Sequence, residues 1–151
     1  EHMNHQMIRK FLKLGLEDFG TQPVPKNKMD LMASRLLQDG AMNEYLKLVK
    51  AGADPNLKDN NGITALIRLI KAKRMTEAKF MLEKGADIEA PDETGENLLA
   101  WAINRGHTDI QTFLIQNGLQ PSRLDKETKN LYLLKKMEKE LAEKNRREQE
   151  P

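Results

Sequence analysis

Apolar positions along this chain come in short bursts at helical spacing, and turn-forming residues separate the bursts. From Thr64 to Lys71 the pattern is apolar and helical, with Leu66, Ile67, Leu69 and Ile70 grouped and Thr64 placed to cap the N-terminus. A turn is expected near Lys73 and Arg74. A second helix should run from about Thr76 to Glu83 and stop at Gly85, where glycine suits a left-handed C-cap. The stretch ADIEAPDETG then reads as a turn-rich hairpin leading back to the next helix.

The same grammar recurs. Gly52, Gly85 and Gly118 stand at equal intervals of 33, as do Asp59, Asp92 and Asp125. Gly62 meets Gly95, and Ala53-Asp54 meets Ala86-Asp87 at that interval. Thr64 meets Asn97 and Asn130, Leu66 meets Leu99, and Ile70 meets Ile103. A fixed period of this length marks a repeat architecture. Each predicted helix is too short to stand alone in water. Stacking neighbouring helix pairs buries their apolar sides, so the turn residues serve to reverse the chain between pairs.

GADPNLKDNNGITAL, GADIEAPDETGENLL and RGHTDIQTFLIQNG together resemble ankyrin repeats, strongly over residues 59–118 and fairly over 29–58. Ala65 and Leu98 stand where that family has proline. Ile67 and Ala100 stand where it has histidine, and Lys73-Arg74 replaces its Gly-His. The resemblance implies an all-α fold, an ankyrin-repeat solenoid of stacked helix-turn-helix pairs with hairpin loops. A first, degenerate repeat is expected at 26–58, with Lys26 and Met29 in the places of Asp and Gly. A second is expected at 59–91 and a third at 92–124. Residues 125–151 begin a fourth repeat that is not completed. Its helix runs on with Leu131, Leu134, Met137 and Leu141 on one face, which suits a charged C-terminal cap. Glu140–Lys144 and Glu143–Arg147 are spaced to pair, and fraying is expected near Arg146. At the other end, residues 3–25 read as an N-terminal capping helix carrying Ile8, Phe11, Leu12 and Leu16, followed by a loop with Pro23 and Pro25. The opening EHM has the look of a cloning remnant, which sets Glu1 and His2 aside.

Composition narrows the chemistry. The formal charge is +2, so no global field points to nucleic acid or a membrane, and neither is an expected partner. With no cysteine, disulfides and thiol catalysis are excluded, and a cytoplasmic setting is suited. Of the histidines, His5 lies near the start and His107 is placed to hydrogen-bond within the stack. No metal, cofactor or small-molecule substrate is expected. Phosphate-cradling and nucleophile-elbow motifs are absent. Asp54, Asp59, Asp87 and Asp92 recur with the repeat and therefore read as turn residues rather than a catalytic pair. No catalytic residue and no enzyme activity are expected.

In the ankyrin family the hairpin tips and first-helix faces bind protein partners. Carried over residue by residue, the resemblance implies contacts at Lys58, Asn60, Asn61, Ile63 and Lys71, then at Glu93, Thr94, Glu96, Asn104 and Arg105. Asn27, Lys28 and Asp30 would extend the strip. Ile63 is its apolar anchor. Trp101 shares the register of Arg35 and Arg68, either packed between repeats or exposed as an aromatic anchor, with a cation–π contact to Arg68 open to it. Lys71, Lys73 and Arg74 read as a solvated helix end. The expected function is non-enzymatic protein binding by a monomer. It could be an adaptor or a secreted bacterial effector acting in a host cytosol, since the glutamate-rich end resembles such secretion signals. The alternative is a structural or regulatory segment of a larger protein.

Overall fold

The computed structural model describes residues 25–150. The N-terminal helix expected over 3–25 lies outside the described residues. Contacts divide the described residues into two compact units, one ending at Thr94 and the other beginning at Gly95. Among the described residues every regular element is a helix, and one isolated antiparallel bridge joins Lys58 to Thr64.

The first unit holds two helix pairs: α1 (Lys26–Gln38) with α2 (Met42–Lys50), and α3 (Ala65–Lys71) with α4 (Met75–Glu83). Within each pair the chain turns through one left-handed residue, Gly40 at φ 71° and Lys73 at φ 59°. The turns are closed by Ala41 N–H to the Leu36 carbonyl and Arg74 N–H to the Leu69 carbonyl, both 2.9 Å. These bonds satisfy carbonyls that a helix end would otherwise leave unpaired. Met32, Ala33, Leu36, Leu37, Tyr45, Leu48 and Val49 bury the first pair, and Leu66, Ile67, Leu69, Ile70, Ala78 and Met81 bury the second. As expected, Gly85 ends the second helix of its pair in a left-handed conformation, at φ 93°.

The second unit contains α5 (Leu98–Asn104), α6 (Thr108–Gln116), a 3-10 turn (Pro121–Arg123) and α7 (Lys126–Gln149). Leu98, Leu99, Trp101, Ala102, Ile103, Ile110 and Leu114 form its core, with Leu119 and Leu124 beneath the link to α7. Asp125 caps α7 by accepting the N–H groups of Glu127 and Thr128, both at 3.0 Å.

Three local expectations are corrected. Thr64 occupies the N-cap position of α3, but its hydroxyl makes no capping bond and is buried without a partner. The equivalent Asn97 does cap, accepting Ala100 N–H at 2.8 Å. Its amide oxygen reaches one bond further than a hydroxyl. The expected apolar face of α7 is largely uncovered: Leu131 is half-buried, whereas Leu134, Met137 and Leu141 are 55–66% exposed. α7 packs through Thr128 and the side of the helix that carries Lys135, whose Nζ donates to the Ile103 carbonyl at 3.2 Å. The helix also continues past Arg146 to Gln149, and there Lys144 approaches Glu148, rather than Glu140, at 4.0 Å.

Candidate functional site

The hairpin between α2 and α3 is a rigid projection built from side chain to backbone bonds. Asp30 on α1 accepts Asp54 N–H at 2.8 Å, while the Tyr45 hydroxyl on α2 donates to the Asp54 carbonyl at 2.8 Å. Burial, with the nearby charges of Asp54 and Asp30, pushes the Tyr45 phenol well above its ordinary pKa. It therefore stays a donor. Asp54 then folds the chain over itself by accepting Asn56 N–H at 2.8 Å.

Asp59 organises the tip. One carboxylate oxygen accepts Asn61 N–H at 2.9 Å and Ile63 N–H at 3.1 Å, and the other receives the Arg68 guanidinium from α3. Desolvation raises the Asp59 pKa, but the Arg68 bond, the two backbone donors and the guanidinium charge outweigh it, leaving the carboxyl below its usual range. Lys58, Asn60 and Asn61 are exposed around this fixed core. A cleft of roughly 340 Å³ opens beside them, lined by Leu37, Gln38, Asp59, Asn60, Asn61 and Arg68.

Two further bridges run from this region to residues 85–93. Asn56 donates to the Gly85 carbonyl at 3.1 Å and accepts Asp87 N–H at 2.7 Å. Lys71 is bonded to Asp92 at 2.8 Å and lies 3.9 Å from Glu93. Asp87 and Asp92 repeat the turn chemistry, accepting Glu89 N–H and Thr94 N–H at 2.9 Å. All four recurring aspartates are thus turn residues, as their spacing predicts.

In the second unit Asn104 donates to Glu96 at 2.8 Å. Trp101 is buried at 7% exposure, with the His107 ring 5.1 Å away and the Arg105 guanidinium 5.7 Å from its centroid.

The structure sorts the expected contact residues. Lys58, Asn60, Asn61, Glu93, Thr94, Asn104 and Arg105 are exposed, and Lys71 and Glu96 are half-exposed but engaged. Ile63 is 4% exposed and Trp101 is buried, so neither offers an anchor to a partner. Ile63 follows Gly62, whose left-handed turn aims the next side chain into the core. The guanidinium over Trp101 comes from Arg105, one helical turn onward, while Arg68 is committed to Asp59. Asn27, Lys28 and Asp30 lie on α1 rather than on a hairpin tip. The basic helix end is not freely solvated: Lys71 binds Asp92, and Arg74 binds Glu77 at 3.0 Å and Asn43 at 2.8 Å. His107 hydrogen-bonds locally through its backbone, its N–H donating to the Ala102 carbonyl at 2.9 Å, while its ring lies against Trp101. Asn56 and Arg68 were missed as organisers. The signal available for Arg68 was its place on the solvent side of α3, in reach of an aspartate that the repeat fixes. No cluster of metal-ligating side chains occurs among the described residues, and no described helix is long and apolar enough to cross a membrane.

A family model described as ankyrin repeats (three copies) matches residues 32–125. The mouse palmitoyltransferase ZDHHC13 is 33% identical over 94 residues, covering 60% of this chain and 15% of that protein. The Drosophila palmitoyltransferase Hip14 is 30% identical over 108 residues, covering 71% of this chain and 17% of its own length. Mouse ankyrin repeat domain-containing protein 63 is 29% identical over 94 residues, covering 61% and 24%. The chain therefore spans a quarter or less of the length of these relatives.

Proposed function

Because the chain belongs to the ankyrin-repeat family, we propose that it is a non-enzymatic protein-binding module whose contact surface includes the hairpin tip Lys58, Asn60 and Asn61 and the cleft beside it. The observation that carries this reading is the internal bracing of the tip by Asp59. The backbone N–H groups of Asn61, Gly62 and Ile63 are already bonded within the tip, so its backbone has little ordering entropy left to lose when a partner binds. The tip offers amides and one cation, which suits polar recognition at the rim of an interface. Glu93, Thr94, Asn104 and Arg105 remain contact candidates by the same family reasoning. The setting we propose is cytoplasmic, with an adaptor role. The secreted-effector version rests on the glutamates of the C-terminal end alone.

The length of the relatives favours a second reading. The matching stretch is about a sixth of each palmitoyltransferase, so the module could serve within a larger protein, and the transferase activity belongs to those proteins.

The test is affinity capture with wild type and with a Lys58→Glu, Asn61→Arg variant, read by mass spectrometry, with melting curves as the folding control. Specific partners should be lost from the variant at unchanged melting temperature. Recovery of the same set by both proteins would refute the tip as the contact surface. The buried Ile63 is unsuitable for this purpose, since Ile63→Glu would place a charge in the core.

A further inference from the structure

The charges of α7 alternate along the sequence but separate once wound into a helix. At roughly 100° per residue, Lys129, Lys135, Lys136, Lys139, Arg146 and Arg147 fall within one sector of about 120°. Glu143 is the one carboxylate of α7 in that sector. The other glutamates of the helix lie outside it, on the sides that also carry Leu134, Met137 and Leu141. The basic sector borders a groove of roughly 170 Å³ between α6 and α7. Half-buried Ile115 and Tyr132 form its apolar floor, Gln111 and Thr112 offer polar groups from α6, and Lys135, Lys136 and Lys139 form the opposite wall. Lys135 is fixed by its bond to the Ile103 carbonyl. Among the described residues Lys136, Lys139, Arg146 and Arg147 have no carboxylate within ion-pair distance.

We propose that this groove is a second docking surface, separate from the hairpin tip, and that its occupant is an acidic amphipathic helix of a partner protein. Charge complementarity names the sign, because the three lysines of the wall form no ion pair among the described residues and Glu143 is the one carboxylate of their sector. The floor names the amphipathic character, because Ile115 and Tyr132 reward an apolar side chain set among the carboxylates. The spacing names the helix. Lys136, Lys139 and Arg146 follow one another at the rise of about 1.5 Å per residue, which a second helix lying alongside shares, so carboxylates at matching intervals meet them in register. A single-stranded nucleic acid would need stacking platforms, and Tyr132 is the one aromatic ring lining the groove and is already half-buried. A bilayer surface is too flat to reach a floor set between two helices.

The experiment measures fluorescence anisotropy of a labelled amphipathic peptide of about 14 residues, four helical turns, with glutamates along one flank and leucines along the next. Its Glu→Gln counterpart, an oligouridylate and phosphatidylserine vesicles serve as competing probes. Removing two charges with Lys136→Gln and Lys139→Gln should weaken binding about tenfold. Lys126→Gln with Lys144→Gln removes the same charge from the other side of α7 and should change it less than about twofold. Ile115→Ala should weaken it about threefold, which a purely ionic attraction would not show. Circular dichroism checks that every variant is folded. Equal loss in both lysine pairs, no effect of Ile115→Ala, or preference for the oligouridylate or the vesicles would each overturn the proposal. Failure here leaves the hairpin tip untouched, because neither the peptide nor these substitutions involve residues 58–61.

Discussion

Lys73 holds a backbone conformation that an L-residue with a side chain resists, φ 59°, at the turn between α3 and α4. At the same place in the other two described pairs the chain has Gly40 and Gly106, at φ 71° and 72°. Lys73→Gly relieves that strain at the cost of greater freedom in the unfolded chain, and should raise stability by about 0.5–1 kcal/mol. A urea midpoint that falls instead would show that the turn is held for another reason. Asp59 gives the pH prediction. Its folded pKa lies below the ordinary carboxylate value, so its contribution is whole above about pH 5 and is lost as pH falls through the folded value. Asp59→Asn keeps the acceptor for Asn61 and Ile63 but removes the charge facing Arg68. Since Arg68 is 44% exposed, the loss at neutral pH should be below about 1 kcal/mol. The gap between wild type and variant should narrow as urea titrations are carried below the ordinary carboxylate range, because the wild-type carboxyl takes up its proton there. These turn aspartates were legible because the repeat fixes their positions. The unpaired Thr64 hydroxyl was not, because a cap bond depends on a side-chain reach that composition does not encode.

Helix starts follow from one register position. Gly62 and Gly95 stand at φ 75° and 80° and close hairpins that precede α3 and α5. In the equivalent places Met29 and Thr128 lie inside α1 and α7, and those helices begin where the hairpins would have been. A residue with a β-carbon disfavours the left-handed turn, so the backbone continues as helix. Glycine should therefore be harmful at one of these sites and required at the other. Gly62→Ala meets no atom within 4 Å, so its cost is conformational, about 1 kcal/mol. Thr128→Gly loosens the first turn of α7 and removes a buried side chain, again about 1 kcal/mol or slightly more. Urea midpoints of the two variants should both drop, and a rise in either would break the rule. Periodicity made the helix pairs readable from the sequence. Spatial partners were harder to read, because an exposed face at helical spacing, such as Leu134, Met137 and Leu141, looks the same as a buried one until its neighbours are placed.

For the molecule as a whole, stability should reside in packed helix pairs and fade toward the C-terminal end. Beyond Leu141 the residues of α7 are exposed, except for half-buried Glu143, and the helix there adds backbone bonds without covering apolar surface. Removing residues 142–150 should lower helical circular dichroism while leaving the urea midpoint almost unchanged, because packing rather than propensity sustains helices of this kind. Removing residues 125–150 is a different operation. It strips Thr128, Leu131 and Tyr132 from the second unit and exposes surface on α5 and around Leu124, which should cost on the order of 3 kcal/mol. Trp101, the one tryptophan in the chain, lies in α5 and reports on that unit by fluorescence. Its unfolding transition should move to lower urea after the longer truncation and stay in place after the shorter one. Matching shifts for both would mean that the exposed end of α7 stabilises the fold, through contacts that the described residues do not make.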